Sequence, residues 1–302
     1  MNKTKEIIAK VQNQLLELME THGSDWVKSW SSRAVDGLPY NKFTGTVYDG
    51  INTFTLLGAS HENGYVCNQW ATLKNWNDAG YQIKKGSSCE YIIFSKPLKK
   101  ESKSQVDDNG DPIIKNYWIN QTYAVFNAEQ VEGYEIETSE PETKSEVEIL
   151  ENVEQYIKNT GASIHHGGSR AFFTPSRDEI HMPKPEQFKS TGTSTAQVNY
   201  YGTLLHELIH WTGYKDRLNR IKGKSFGDND YAFEELVAES GSAVLCALLG
   251  ISIEPRPDHA KYLNNWIQGI KDNPNAMISA FKLSTKAIKY LDDMQSKKKA
   301  VA

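Results

Sequence analysis

Two histidines four residues apart with a glutamate between them, His206, Glu207 and His210 in TLLHELIHWTGYKD, carry the most chemistry in this sequence. On an α-helix, residues i and i+4 lie one above the other, so His206 and His210 can both aim an imidazole at one ion. Glu207 is turned about 100° from His206 on a 3.6-residue helix, close enough to touch a water on that ion without taking a ligand position. Two imidazole ligands and a carboxylate base form the set that hydrolyses a carbonyl group with metal-activated water. By itself so short a pattern also fits a helix that simply carries two polar histidines.

A catalytic zinc takes three protein ligands and keeps one position open, and two acids compete for the third place. FEELVAESGSA sets Glu235 and Glu239 four apart on one face of a second helical segment. Glu235 is then the ligand, and Glu239, one turn on, accepts a hydrogen bond from the free N–H of a ligand histidine. Glu234 is adjacent but turned about 100° away, which makes it the poorer ligand. Asp216 is the rival, because the run from His206 also reads HExxHxxGxxD, with Gly213 letting the chain turn back after the helix. In the metzincin arrangement the residue at that place is the third ligand. That arrangement wants histidine there and a Met-turn below the metal, whereas Met277 and Met294 fall in an amphipathic C-terminal segment. The two-helix pattern favours Glu235, with Asp216 as the alternative. The expected cofactor is one Zn2+ ion, other first-row divalent metals being alternatives.

Positioning these groups requires a helix over about 194–212 and a second over about 232–249, ended by Gly250. Upstream the pattern reads as a helix over 150–159, a strand over 171–174, a turn at Pro175-Ser176-Arg177 and a strand over 179–182. The second strand of that hairpin is a candidate sheet edge, to which an extended peptide can add as a further strand. His165, His166 and His181 lie nearby and read as structural or exposed. A last amphipathic helix covers 275–296. The first covers about 4–22, with Thr4 as N-cap and Ile7, Ile8, Val11, Leu15, Leu16 and Met19 on one face. Alternating β-branched and aromatic residues predict strands at 91–95 and 117–126. Between them KKESKSQVDDNGDP reads as a polar hairpin tip.

The chain has 302 residues, 38% hydrophobic and 24% charged, with a net charge of −4. That mix suits a soluble globular protein and gives no global attraction to nucleic acid or acidic membranes, so any DNA-binding surface must be a local patch. Cys67, Cys89 and Cys246 are odd in number and lack CxxC spacing, which fits a reducing compartment. The first residues are not a signal peptide, and no apolar run reaches the roughly 20 residues needed to span a bilayer. The expectation is a cytoplasmic protein. The acid-rich EQVEGYEIETSEPETKSEVEILENVE reads as a linker. The expected organisation is α+β in two domains, 1–135 and 151–302, joined by the acidic linker 136–150.

In the first half, Trp26, Trp30, Tyr40, Phe43, Tyr48, Trp70, Trp76 and Tyr81 are interleaved with Lys28, Arg33, Lys42, Lys74, Lys84 and Lys85. Single-strand binding without sequence preference uses aromatic platforms for bases and basic groups for phosphates. Trp26, Trp30, Lys42, Tyr48, Trp70, Lys74, Lys84 and Lys85 are the candidates, against the reading that most of the aromatics form a core.

The runs GLPYNKFTGTVYDGINTFTL, WATLKNWNDAGYQIKKGSS and YAVFNAEQVEG resemble the N-terminal domain of ArdC-type antirestriction proteins. HELIHWTGYKDRLNR followed by FGDNDYAFEELVAESGSA is similar to the zincin-like metallopeptidase domain joined to it. The resemblance covers nearly the whole chain in order, apart from the acidic linker and the C-terminal tail. It implies an N-terminal α+β domain that binds single-stranded DNA and a gluzincin-like site with Glu235 as third ligand. It also implies a role, in the cytoplasm of a bacterial host, in protecting incoming plasmid or other mobile DNA from restriction during conjugation. The implied partners are single-stranded DNA and an unidentified protein substrate or restriction-system component, with no membrane. The alternative is a DNA-protecting binding protein whose zincin domain is a scaffold or mimic with little or no proteolysis.

Overall fold

The computed structural model describes residues 3–22, 37–106, 112–136, 145–191, 194–221, 229–251, 259–272 and 274–299. Apolar residues at helical spacing form α1 (Lys3–His22), which buries Val11, Leu15 and Met19. The helix starts at Lys3, so Thr4 lies inside its first turn and is not its N-cap. α2 (Ile51–Asn63) has no counterpart among the expected elements. Every residue from Ile51 to Ser60 is buried, so no polar face gives the segment an amphipathic signature.

The first half continues through β1 (Tyr40–Asn41), β2 (Gln69–Thr72), α3 (Leu73–Asp78), β3 (Gln82–Ile83), β4 (Glu90–Val106), β5 (Pro112–Asn127) and β6 (Val131–Glu132). The main sheet has the order β1-β2-β5-β4, with β1 parallel to β2 and the other pairs antiparallel. β4 and β5 pair from Glu90 opposite Val125 to Glu101 opposite Ile114, with a register shift before Val106. Most of the polar stretch expected as a hairpin tip is therefore strand, because cross-strand pairing outweighs weak β-propensity. Asn109 and Gly110 lie outside the described residues.

α4 (Glu146–Thr160) begins inside the acid-rich segment. The Ser145 side chain accepts from the Glu148 N–H while Glu148 reaches back to the Ser145 N–H, a capping box that starts a helix among acids. A three-stranded sheet follows from β7 (Ser163–His166), β8 (Phe172–Thr174) and β9 (Glu179–Met182), in the order β7-β9-β8. The expected edge, β9, is the central strand, parallel to β7 and antiparallel to β8. The edges are β7 and β8. Four helices complete the described chain: α5 (Ala196–Thr212), α6 (Asn229–Leu248), α7 (His259–Asp272) and α8 (Pro274–Lys299).

α8 packs against α4, α5, α6 and α7, and also against α1 and α2. One hydrophobic cluster accordingly joins Val11, Leu15, Phe54 and Ile93 to Leu208, Val237, Met277, Phe281 and Ile288. Met277 is fully buried there, within a helix and not in a turn. Phe54 stacks on Phe281 with ring centroids 4.2 Å apart. The Gly50 N–H donates to Thr285 Oγ1 at 3.0 Å, which fastens the start of α2 to α8. Two smaller clusters lie around Trp76 and around Trp70, Leu56 and Val125. Among the described residues, no helix is long and apolar enough to cross a membrane. Phe281→Ala is expected to cost about 3–5 kcal/mol in urea denaturation of the full chain. A double-mutant cycle with Phe54→Ala should return a coupling of about 0.5–1.5 kcal/mol for the stacked pair.

Candidate metal centre

α5 starts where the Thr195 side chain accepts from the Val198 N–H. Leu204, Leu205, Leu208 and Ile209 are buried along it, so the helix is held on its apolar side while His206 and His210 share another. α6 approaches closely: a Cβ on Gly241 would sit 3.3 Å from Ile209. That approach brings the carboxylates of α6 to the imidazoles of α5.

His206 Nε2 and His210 Nε2 are 3.1 Å apart. Glu235 faces both, with Oε2 at 3.5 Å from His206 Nε2 and Oε1 at 3.4 Å from His210 Nε2. Among the described residues these three form the one group with donor atoms close enough to hold a metal ion. An ion about 2.1 Å from each donor in a tetrahedral set would hold the donors about 3.4 Å apart. The observed spacings fit that requirement, as does the chemistry of two imidazoles and a carboxylate.

The outer ring nitrogens also face carboxylates. His206 Nδ1 lies 3.4 Å from Glu239 Oε2, and His210 Nδ1 lies 3.3 Å from Glu234 Oε1. Such partners fix which nitrogen is free to bind the ion and raise its basicity. Glu234 thus stands behind a histidine, a position that its neighbour relation to Glu235 does not reveal. Its own charge is met by Arg220, whose Nη2 and Nε donate to the two carboxylate oxygens at 2.9 and 3.1 Å. Arg220 Nη1 and Nη2 also donate to Thr212 Oγ1 at 2.8 Å and the Ile209 carbonyl at 2.7 Å. The partners Glu234 and Arg220 are 14 residues apart and share no local spacing rule. Burial alone would depress the His210 pKa, but Glu235, Glu234 and Glu207 outweigh it and push it up to about 10. Glu235, despite burial, is held well below the usual carboxylate range by His210 and His206. Glu207 is 3% exposed and acts electrostatically on His210.

Beyond α5 the chain turns back and is pinned. Gly213 has an ordinary φ of −77°. Glycine is required there by space, since a Cβ would lie 2.9 Å from Ile221 Cγ1 and 3.1 Å from Arg220 Nη2. Arg217 lies 3.8 Å over the Trp211 ring and pairs with Asp178 in the β8–β9 turn. Asp216 is exposed on the turn, outside the group of three.

Most of the other candidate residues lie apart from this centre. His165 and His181 are on the sheet face bearing Glu179, at 3.6 and 3.4 Å from its carboxylate, and His166 Nε2 meets Tyr200 Oη at 2.9 Å. Trp70 is 0% exposed, which corrects its reading as a base platform: its ring is core, packed with Leu56 and Val125. Tyr48 is half-buried against the same cluster. Lys42 Nζ lies 5.8 Å over the Tyr134 ring, Lys74 pairs with Asp78, and Lys84 donates to the Glu129 carbonyl at 2.8 Å. Lys85 is exposed. Trp26 and Trp30, with Lys28 and Arg33, lie outside the described residues.

A metal ion bound by His210 would have to displace its proton. The apparent Zn2+ affinity should therefore rise about tenfold per pH unit for each proton released, between about pH 6 and 8. Competition titration against a chromogenic chelator checks this. In the metal-free protein the sign is opposite. The raised pKa stabilises the fold fully below the ordinary histidine value of 6.5, and this contribution is lost as pH rises through about 10. Arg220→Ala strips a buried carboxylate of its cation and should cost about 3–5 kcal/mol. Through Glu234 it should also weaken metal binding about 10- to 100-fold. Arg220→Lys, which lacks the planar fork, should restore only part of both.

Comparison with known proteins places both halves of the chain. Residues 5–126 match the family model for the N-terminal domain of anti-restriction factor ArdC, and residues 151–282 match that of zincin-like metallopeptidases. The chain is 31% identical over 298 residues to the uncharacterized protein y4eC of Sinorhizobium fredii, covering 96% of this chain and 93% of that one. It is 35% identical over 296 residues to a DNA primase TraC of Escherichia coli, covering 94% of this chain but only 26% of that protein. The metal-free crystal structure of the antirestriction protein ArdC from plasmid R388 superposes with a TM-score of 0.74 at 28% identity, over 98% of this chain and 99% of that one. The Mn(II)-bound structure of the same protein gives 0.71 at 29% identity, over 95% and 97%. With both of its halves, in order, matched over nearly their whole length, this chain belongs to the ArdC-type antirestriction proteins, an ArdC N-terminal domain followed by a zincin-like metallopeptidase domain.

Proposed function

We propose that the chain is an antirestriction protein that binds single-stranded DNA and cleaves a protein component of the restriction response at a metal-dependent peptidase site. The observation that carries the peptidase reading is the convergence of His206, His210 and Glu235, with both outer imidazole nitrogens backed by carboxylates. His206, His210 and Glu235 hold one divalent ion. Zinc suits two imidazoles and a carboxylate, and the related R388 protein has been solved with Mn(II). The bound ion supplies Lewis acidity and a water acidified towards neutrality. Glu207, buried beside His210, takes the proton of the water as it attacks a peptide carbonyl and returns it to the leaving amine. Glu239 and Glu234 keep the two imidazoles in one orientation and tautomer. Asp216, exposed beyond the helix, has no part in this set. Single-strand binding is carried by the ArdC N-terminal half, and the reading places the protein in the bacterial cytoplasm, where incoming DNA meets restriction enzymes.

Glu207→Gln should keep metal at wild-type stoichiometry by elemental analysis and lower hydrolysis of fluorescein-labelled casein by about 10²- to 10⁴-fold. Glu235→Ala should lose the metal and Asp216→Ala should keep it. Transfer of unmodified plasmid DNA into a restricting host decides whether cleavage matters. Full protection by Glu207→Gln would sink the proteolytic reading and leave a protein that protects by binding.

A further inference from the structure

Within the aromatic-rich stretch of the first half, Trp70 and Trp76 are both 0% exposed, and Phe43, 42% exposed, packs edge-on against Trp76. A further set of exposed aromatics lies on the ribbon of β4 and β5. The register sets Ile92 opposite Tyr123, Phe94 opposite Gln121, Lys96 opposite Ile119 and Leu98 opposite Tyr117. Directly opposed positions, and every second residue along each strand, share one face. On that face Phe94 is 55%, Tyr123 43%, Leu98 40% and Ile119 38% exposed. The base of the ribbon is buried: Ile93 is 6% and Val125 0% exposed. Asn52 Nδ2 donates to the Ile93 carbonyl at 2.8 Å while the Ile93 N–H donates to Asn52 Oδ1 at 2.7 Å. The exposed rings therefore stand on a strand gripped at its root.

Charge selects the occupant. In a chain of net charge −4, neither YIIFSKPLKK (91–100) nor IIKNYWINQTYAVFNA (113–128) holds an acid. Lys96 is exposed on the aromatic face, opposite Ile119. Flat rings beside Lys96, with no carboxylate from Tyr91 to Lys100 or from Ile113 to Ala128 and Glu90 and Glu101 only at the ends of the paired stretch, suit a polyanion that carries free π-faces. That is single-stranded nucleic acid, whose bases, unlike those of a duplex, are open to stacking. Phe94 and Tyr123 are diagonal neighbours, about 7–8 Å apart by strand geometry, and the Tyr123 hydroxyl donates to Gln121 Oε1 at 3.2 Å.

We propose that the open face of the β4–β5 ribbon is the single-strand platform, with Phe94 and Tyr123 each stacking a base and Lys96 meeting the phosphates. The proposal rests on the single-strand-binding reading above and moves it away from the segment holding Trp70, Lys74 and Lys84.

The test is fluorescence anisotropy of the full chain with a labelled thirty-nucleotide oligo-dT. Phe94→Ala and Tyr123→Ala should each weaken binding about 5- to 150-fold, since base–aromatic stacking is worth about 1–3 kcal/mol per base. Phe94→Trp should retain it. Lys96→Ala should weaken binding and flatten its salt dependence by roughly one phosphate contact. All three positions are exposed on the ribbon surface, so circular dichroism and metal stoichiometry should match wild type. Wild-type binding with unchanged affinity in the alanine variants would overturn the platform and leave single-strand binding in place. Retained oligonucleotide affinity with lost protection in cells would also overturn it, in favour of a protein partner on this face. Absence of binding by wild type itself would overturn the platform together with the reading beneath it.

Discussion

Four carboxyl groups, of Glu207, Glu234, Glu235 and Glu239, are gathered around two imidazoles in the space between α5 and α6, and that charge must be balanced. A buried carboxylate is tolerated only when paired and hydrogen-bonded. Arg220 answers Glu234, and His210 is driven towards its charged form by the acids around it. A divalent ion held by His206, His210 and Glu235, as proposed, would supply the remaining positive charge. The packing around it serves this end. Gly241 lets the two helices meet, Gly213 leaves room for Arg220, and Arg217 ties the returning chain to the β8–β9 turn.

The two halves of the chain are joined by apolar burial as well as by sequence. Phe54 on Phe281 and Gly50 on Thr285 place α2 directly against α8, the helix that also backs α5 and α6. The ribbon of β4 and β5 leaves this core at Ile93. One of its faces is held by α1 and α2, and the other presents Phe94 and Tyr123. The proposed nucleic-acid platform and the candidate metal centre thus rest on one hydrophobic scaffold.

The legible features were those set by local period. The i, i+4 spacing aligns His206 with His210 and Glu235 with Glu239 before any tertiary contact exists, and β9 was readable from its alternation and flanking turn. Elements without a local period were not readable. α2 is buried on every side and so shows no amphipathic stripe, and the polar residues of β4 beyond Lys99 are strand only because β5 pairs with them. The placing of β9 at the centre of its sheet depends on the parallel partner β7, which no pattern within the hairpin announces.

By itself the sequence determined the donor types, their faces and the helices that bear them, because helical geometry depends on neighbours within one or two turns. Only the tertiary structure decided which acids meet which nitrogen. It set Glu235 between the two Nε2 atoms and Glu234 and Glu239 behind the rings, and left Asp216 in solvent. It also buried Trp70 and exposed Phe94, two aromatics on strands of the same sheet. The physical reason is the same in each case. Burial and charge pairing are properties of what surrounds a side chain in space, and residues 14 or more apart supply those surroundings.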